Sequence, residues 1–267
     1  MNDTLGNGTD SSISLIALVI TDLAVDLILV LPSNIYVLWL ILCGAGGTIA
    51  SELFYLNLAS SLIMSTVDSV LYFVYRLTHN VIVHEVASFC FVLFFWFSVP
   101  SFQCCICVER YIAVVHPVVF LRYKALRYRV ACCCVVWLTV LVLSSLVSWS
   151  FRALCYIFLG FCIVCISVVS FCCLSVLRAL KQPGPGEGQR DNGNDMKRRA
   201  FRIILVSLVV MVMTIMSYFP HILSASQLKH SNQDVIFITY LLGRLSGFVH
   251  PLLYILKAGK LPCFKCL

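Results

Sequence analysis

The sequence predicts an all-α membrane protein, a seven-transmembrane helix bundle with a short cytoplasmic tail. Three observations carry this expectation. Apolar residues make up 61% of the chain and mean hydropathy is +0.97, whereas soluble domains are roughly 45–50% apolar. The apolar residues fall in runs of about 20, the length at which a helix crosses a bilayer. The lysines and arginines lie mainly between the runs, so the net charge of +7 fits membrane orientation better than a phosphate footprint. The lipid bilayer is therefore the expected surrounding, and no nucleic-acid partner is expected.

Seven runs cover approximately residues 20–43, 52–75, 87–113, 130–150, 154–178, 200–225 and 234–256. Each is expected to be helical, because lipid offers no partner to open backbone groups. Orientation follows from the basic residues. The loop after the third run holds Arg122, Lys124, Arg127 and Arg129, and the loop after the fifth holds Lys181, Arg190, Lys197, Arg198 and Arg199. The tail, residues 257–267, adds Lys257, Lys260 and Lys265. The opposite side has only Arg76, Arg152 and Lys229, so the positive-inside rule puts the tail in the cytosol and residues 1–19 outside. The sequons at Asn2 and Asn7 agree, since an outer N-terminus faces the glycosylation machinery. A multi-pass protein of the plasma membrane is expected. No cleavable signal peptide is visible, so the first run is expected to act as its own insertion signal. Residues 182–195 are polar and rich in Gly and Pro, the composition of a flexible linker. The runs show no internal repeat of the kind that builds transporters.

The chain holds 15 cysteines, and most sit inside apolar runs: Cys104, Cys105, Cys107, Cys132, Cys133, Cys134, Cys162, Cys165, Cys172 and Cys173. There they read as small buried hydrophobes. Their spacing matches neither a disulfide framework nor a metal site, so no metal is expected. Cys90 and Cys155 lie near the outer face. Cys263 and Cys266 lie among the tail lysines, a setting that suits S-palmitoylation; unmodified thiols are the alternative.

Charges inside a membrane are costly, so those within the runs are functional hypotheses by default. Asp22 and Asp26 lie one turn apart in the first run, and Asp68, Tyr72 and Arg76 share a face of the second. The third run carries Trp96 above the sequence Glu109-Arg110-Tyr111 at its end. The sixth carries Tyr218, Pro220 and His221, and the seventh places Tyr240, Arg244, Gly247, Pro251 and Tyr254 on one face. Asp68, Tyr72, Trp96, Tyr218, His221, Tyr240 and Arg244 form the candidate ligand pocket. Two readings of Arg244 stand side by side. It is a strut neutralised by Asp68 or Asp26, or it anchors an anionic ligand through a bidentate contact.

Further residues give this pattern a family likeness. Asn34 lies in the first run, Leu56-Asn57-Leu58-Ala59 in the second, Glu109-Arg110-Tyr111 ends the third, and Trp137 lies in the fourth. Phe219-Pro220 follows in the sixth and Pro251-Leu252-Leu253-Tyr254 in the seventh. With these landmarks in order, the chain resembles the rhodopsin-like (class A) G-protein-coupled receptors over nearly its whole length. The resemblance implies a receptor, not an enzyme, that needs no cofactor. It implies transduction of an extracellular ligand signal to a heterotrimeric G protein. Glu109, Arg110, Tyr111, Pro220, Pro251 and Tyr254 would then form the activation switch, with Arg110 paired to Glu109 at rest. The prolines would supply kinks from which helices swing.

The chain also departs from the family pattern. The acid usual in the second span falls on Leu62, and the span-five proline and tyrosine fall on Cys165 and Cys173. Tyr218 and His250 replace a tryptophan and an asparagine, and the second outer loop shrinks to a few residues between Trp149 and Cys155. In the family that loop carries a cysteine bonded to the top of the third span, so the resemblance makes Cys90 and Cys155 a possible disulfide, which geometry decides. Sodium regulation of the usual kind is not expected. Val92 stands where amine receptors keep an aspartate, which argues against a biogenic amine. A non-signalling protein of the same fold remains the alternative, with a transporter as a remote one.

Overall fold

The computed structural model describes residues 17, 19–44, 49–123, 125–145, 151–181, 198, 200–214, 216 and 233–257. Asn2, Asn7, Tyr218, Pro220, His221, Cys263, Cys266, the linker and the tail beyond Lys257 lie outside the described residues, as does the side chain of Tyr240.

Among the described residues the chain is helical throughout its regular structure. Helix α1 spans Val19–Leu42, α2 Leu53–Thr78, α3 Val81–Val115, α4 Leu126–Ser145 and α5 Phe151–Lys181. Helix α6 spans Ala200–Thr214 and α7 Gln233–Lys257. Helices α1 to α4, and Cys155–Lys181 of α5, are long and apolar enough to cross a membrane. Apolar helical stretches in α6 and α7 are shorter, at Ala200–Thr214 and Leu241–Ile255. Large apolar side chains on α4 and α5, such as Leu138, Val142, Val164 and Phe171, point outward. A soluble protein would not leave so many exposed together, whereas lipid accommodates them.

Proline accounts for two irregularities. A proline inside a helix lacks an N–H and its ring clashes with the carbonyl four residues back. In α1, Pro32 is preceded by a π-helical turn at Asp26–Val30. In α3, Pro100 is preceded by another at Val92–Phe97. Each wide turn contains the carbonyl the ring would strike, that of Ile28 or of Trp96, and relieves the clash by opening the helix there. The helical period read along the sequence misses both turns, although each proline announces its own.

The link between α2 and α3 is short because the sequence caps both ends. His79 adopts left-handed backbone (φ 52°), and its N–H donates to the Tyr75 carbonyl at 2.7 Å. Asn80 then caps α3, its Oδ1 accepting from the Ile82 N–H at 3.0 Å. This cap starts α3 earlier than the expected residue 87. At the far end of α3, His116 ends the helix and Pro117 opens a short linking helix, Pro117–Tyr123, that leads to α4.

One buried cluster gathers Leu58, Leu62, Trp96, Phe97, Phe102, Phe158 and Tyr254; another lies between α3, α5 and α6 around Cys107, Val169, Cys172, Ile204 and Met211. The described cysteines are free and largely act as packing. This corrects the candidate disulfide: Cys90 and Cys155 are both free thiols. Cys155 belongs to the buried cluster that holds Trp96 and Phe158, whereas the partly exposed Cys90 does not. Trp137 Nε1 donates to Asn57 Oδ1 at 2.9 Å, tying α4 to α2.

Gly247 allows α7 to approach the other helices. A Cβ there would lie 3.2 Å from Leu62 Cδ2 and 3.8 Å from Val30 Cγ1. Gly247→Leu should therefore destabilise the detergent-solubilised protein by ~1–3 kcal/mol through overpacking. Adding Leu62→Ala should recover part of the loss in a thermal melt; equal melting of the single and double variants would count against the contact.

Candidate functional site

Helix α7 presents a column of polar side chains to its neighbours. In one half of the bundle, Arg244 meets three carboxylates: Nε lies 3.3 Å from Asp22 Oδ1, Nη1 3.1 Å from Asp26 Oδ2, and Nη2 3.4 Å from Asp68 Oδ2. Ser69 Oγ donates to Asp26 Oδ2 at 2.5 Å. All these residues are buried, Arg244 with only 2% of its surface exposed. The spacing explains the convergence. Asp22 and Asp26 are one turn apart on α1, Asp68 and Ser69 are adjacent on α2, and the fork of the guanidinium spans both helices. A lone arginine here would be prohibitive, and three carboxylates with no cation would be worse. The cluster thus fastens α1, α2 and α7 to one another.

Farther along α7, Ser246 Oγ lies 2.9 Å from Thr214 Oγ1, joining it to α6. His250 Nε2 hydrogen-bonds the buried side-chain amide of Gln103, joining it to α3. Gln103 is absent from the sequence-level site; its only signal was one amide in an apolar stretch, with a partner that folding alone reveals. Pro251 lies inside α7 without ending it. One turn beyond His250, the buried Tyr254 packs its ring 5.1 Å from that of Tyr55 on α2.

The Glu109 end corrects one expectation. Glu109 pairs with Arg129 of α4 rather than with its neighbour Arg110. Successive helical residues point about 100° apart, so Glu109 faces α4 while Arg110 cannot share that direction. Arg110 is half-buried, and its Nε has no hydrogen-bond partner. Tyr111 turns toward α5, its ring 5.7 Å from Phe171, and its Oη lies 3.2 Å from His116 Nε2. The three adjacent residues therefore serve three different surfaces.

The candidate pocket is only partly assembled. Asp68 and Arg244 meet, joined by Asp22 and Asp26 of α1. Tyr72 does not join them: it is exposed, with its ring 6.0 Å from that of Tyr75. Trp96 is buried and stacks on Phe158 at 4.6 Å, within the aromatic core. No group of three or more His, Cys, Asp or Glu side chains suited to a metal ion occurs among the described residues.

This arrangement defines a multi-pass helical membrane protein whose seventh helix links its neighbours through polar side chains. Residues 33–150, under half of the chain, match the model of the seven-transmembrane receptors of the rhodopsin family. Its sequence is similar to that of human G-protein coupled receptor 35, at 29% identity over 210 residues. That alignment covers 71% of this chain, and the chain spans about 65% of the relative's length. The matched stretch contains Asn57, Asp68, Glu109-Arg110-Tyr111 and Trp137, whereas Arg244 and Tyr254 lie beyond it.

Removing Arg244 leaves buried carboxylates without their cation. Arg244→Ala should lower stability by ~3–5 kcal/mol, the range for breaking a buried ion pair from one side. Asp22→Asn, which keeps its shape and removes one acid of three, should cost far less. Thermal melts in detergent rank the two, and the opposite order would contradict the assignment. At the other end, Arg129→Ala should expose the α3–α4 contact to solvent, read as faster hydrogen exchange in α4.

Proposed function

We propose that the chain is a plasma-membrane receptor with its N-terminus outside and its Glu109 end in the cytosol. It transduces binding of an extracellular ligand into activation of a heterotrimeric G protein. The observation that carries this reading is the division of labour at the end of α3. Glu109 is held by Arg129, while Arg110 is left without its neighbour's carboxylate. An arginine so placed is available to an incoming partner once the helices around it separate. Tyr254, packed on Tyr55, connects that end to α7, and the polar column of α7 gives a physical route from the Arg244 half. Such a device is a two-state population shift, in which ligand and G protein both favour one arrangement. Pro251 and Pro220 are the proposed flex points, the latter outside the described residues.

The burial of Arg244 among three aspartates supports the strut reading over a resident anchor for an anionic ligand. An anionic ligand would engage Arg244 only by displacing one of them, and that displacement would release α7 to move.

A second reading, a receptor-fold protein that does not signal, draws on one observation. Leu62 fills the place of the family's acid and packs against Gly247, which leaves that region apolar. Nucleotide exchange on purified heterotrimeric G proteins of each class separates the two. The receptor reading expects basal or ligand-stimulated exchange that Arg110→Ala reduces at least tenfold with surface expression unchanged. Exchange that is absent throughout, or indifferent to Arg110, supports the non-signalling reading.

A further inference from the structure

A cavity of about 310 Å³ lies between α3, the linking helix and α4, in a part of the molecule that the ligand pocket does not use. That volume sits at the small end of the range for small-molecule sites, about 300–1,000 Å³. Its inner wall is apolar or weakly polar, made by side chains such as Cys105, Val108, Ile112 and Phe120. The Glu109–Arg129 pair forms part of the same wall, but each partner already engages the other. Free polar recognition is therefore scarce inside, and the interior suits a hydrocarbon chain.

The rim has the opposite character. Tyr123 and Tyr128 line the cavity, are exposed, and meet edge to face with ring centroids 5.1 Å apart. Arg127 lies over the Tyr128 ring at 4.8 Å and donates from Nη2 to Tyr128 Oη at 3.2 Å. Arg122, also exposed, is next to Tyr123 on the linking helix. No acidic residue lies within the linking helix or the first turns of α4, so nothing in those segments opposes these two cations. Paired tyrosines and arginines at the end of an apolar helix form the chemistry of a membrane–water boundary.

We propose that this cavity binds an anionic amphiphile, with its hydrocarbon chain between α3 and α4 and its anionic head on Arg127 and Arg122. The charge complementarity of the rim selects the head, and the apolar wall selects the chain. The bound chain lies against the Glu109–Arg129 pair and holds the spacing across which that pair closes. Under the orientation proposed above, the head sits in the cytoplasmic leaflet, where anionic lipids concentrate. The binding itself does not depend on whether the protein signals.

The test uses the full chain in phosphatidylcholine nanodiscs with a diazirine-tagged long-chain fatty acid. A diazirine-tagged phosphatidylserine runs in parallel, and attachment points are mapped by peptide mass spectrometry. The proposal expects saturable labelling concentrated on Val108, Ile112, Phe120 and Cys132, at least fivefold above the outward faces of α1 and α5. Labelling by the fatty acid alone identifies a free acid as the source, and labelling by the phospholipid identifies a membrane lipid. A diazirine-tagged fatty alcohol should label the same residues at least threefold less. Arg127→Gln with Arg122→Gln should erase that difference, and Val108→Trp should remove the label from the cavity. Labelling spread evenly over all lipid-facing helices, or equal for acid and alcohol in the unaltered protein, would overturn the proposal. That mapping needs no variant to fold, and it is independent of the nucleotide-exchange result.

Discussion

The ion cluster of Arg244 with Asp22, Asp26 and Asp68 is the constraint on which the rest of the bundle depends. In lipid, apolar side chains gain nothing from leaving water when helices associate, so close packing and polar contacts must define which helices are neighbours. One guanidinium reaching two helices from a third does this with high specificity. The penalty for any other pairing is a set of unpartnered buried charges, which makes wrong arrangements far costlier than the right one is favourable. Once α1, α2 and α7 are fixed, Gly247 can sit against Leu62 and Val30. His250 can then reach Gln103, and Tyr254 can reach Tyr55.

The two π-helical turns fit the same scheme. Each adjusts the phase of its helix just before a proline, and each contains a residue of consequence. Asp26 opens the turn in α1 and contacts Arg244; Trp96 lies in the turn of α3 and stacks on Phe158. Without the added residue, every side chain on one side of the turn would rotate relative to those on the other. Helical defects caused by a proline thus bear directly on which polar groups meet in the bundle centre.

Much of this was legible in the chain. Apolar run length and the basic loops announce a helical membrane bundle, and the Glu109-Arg110-Tyr111 sequence with Asn57 and Trp137 carries the likeness to the rhodopsin-like receptors. A buried arginine predicts a nearby carboxylate, and both Asp26 and Asp68 follow from that logic. What the sequence could not convey was number and direction. That all three aspartates converge depends on the phase of α1, which the π-helical turn resets. That Glu109 turns to Arg129 depends on how α4 packs, information spread over twenty residues of separation. The free state of Cys90 and Cys155 depends on Cys155 entering the core, which cysteine spacing does not encode. Gln103 and His250 sit 147 residues apart and signal nothing singly.

The central claim, that Arg244 and the aspartates act as one unit joining three helices, is tested most directly by a double-mutant cycle. The protein in detergent would be melted as wild type, Arg244→Met, Asp26→Leu and the combination. Asp26 is the sharpest choice, because it is the most deeply buried of the three acids and lies closest to the guanidinium. A shared unit predicts a coupling energy of ~1–3 kcal/mol, with the double variant more stable than the sum of single losses implies. Additivity within ~0.5 kcal/mol would contradict the account and leave the three helices held by packing alone.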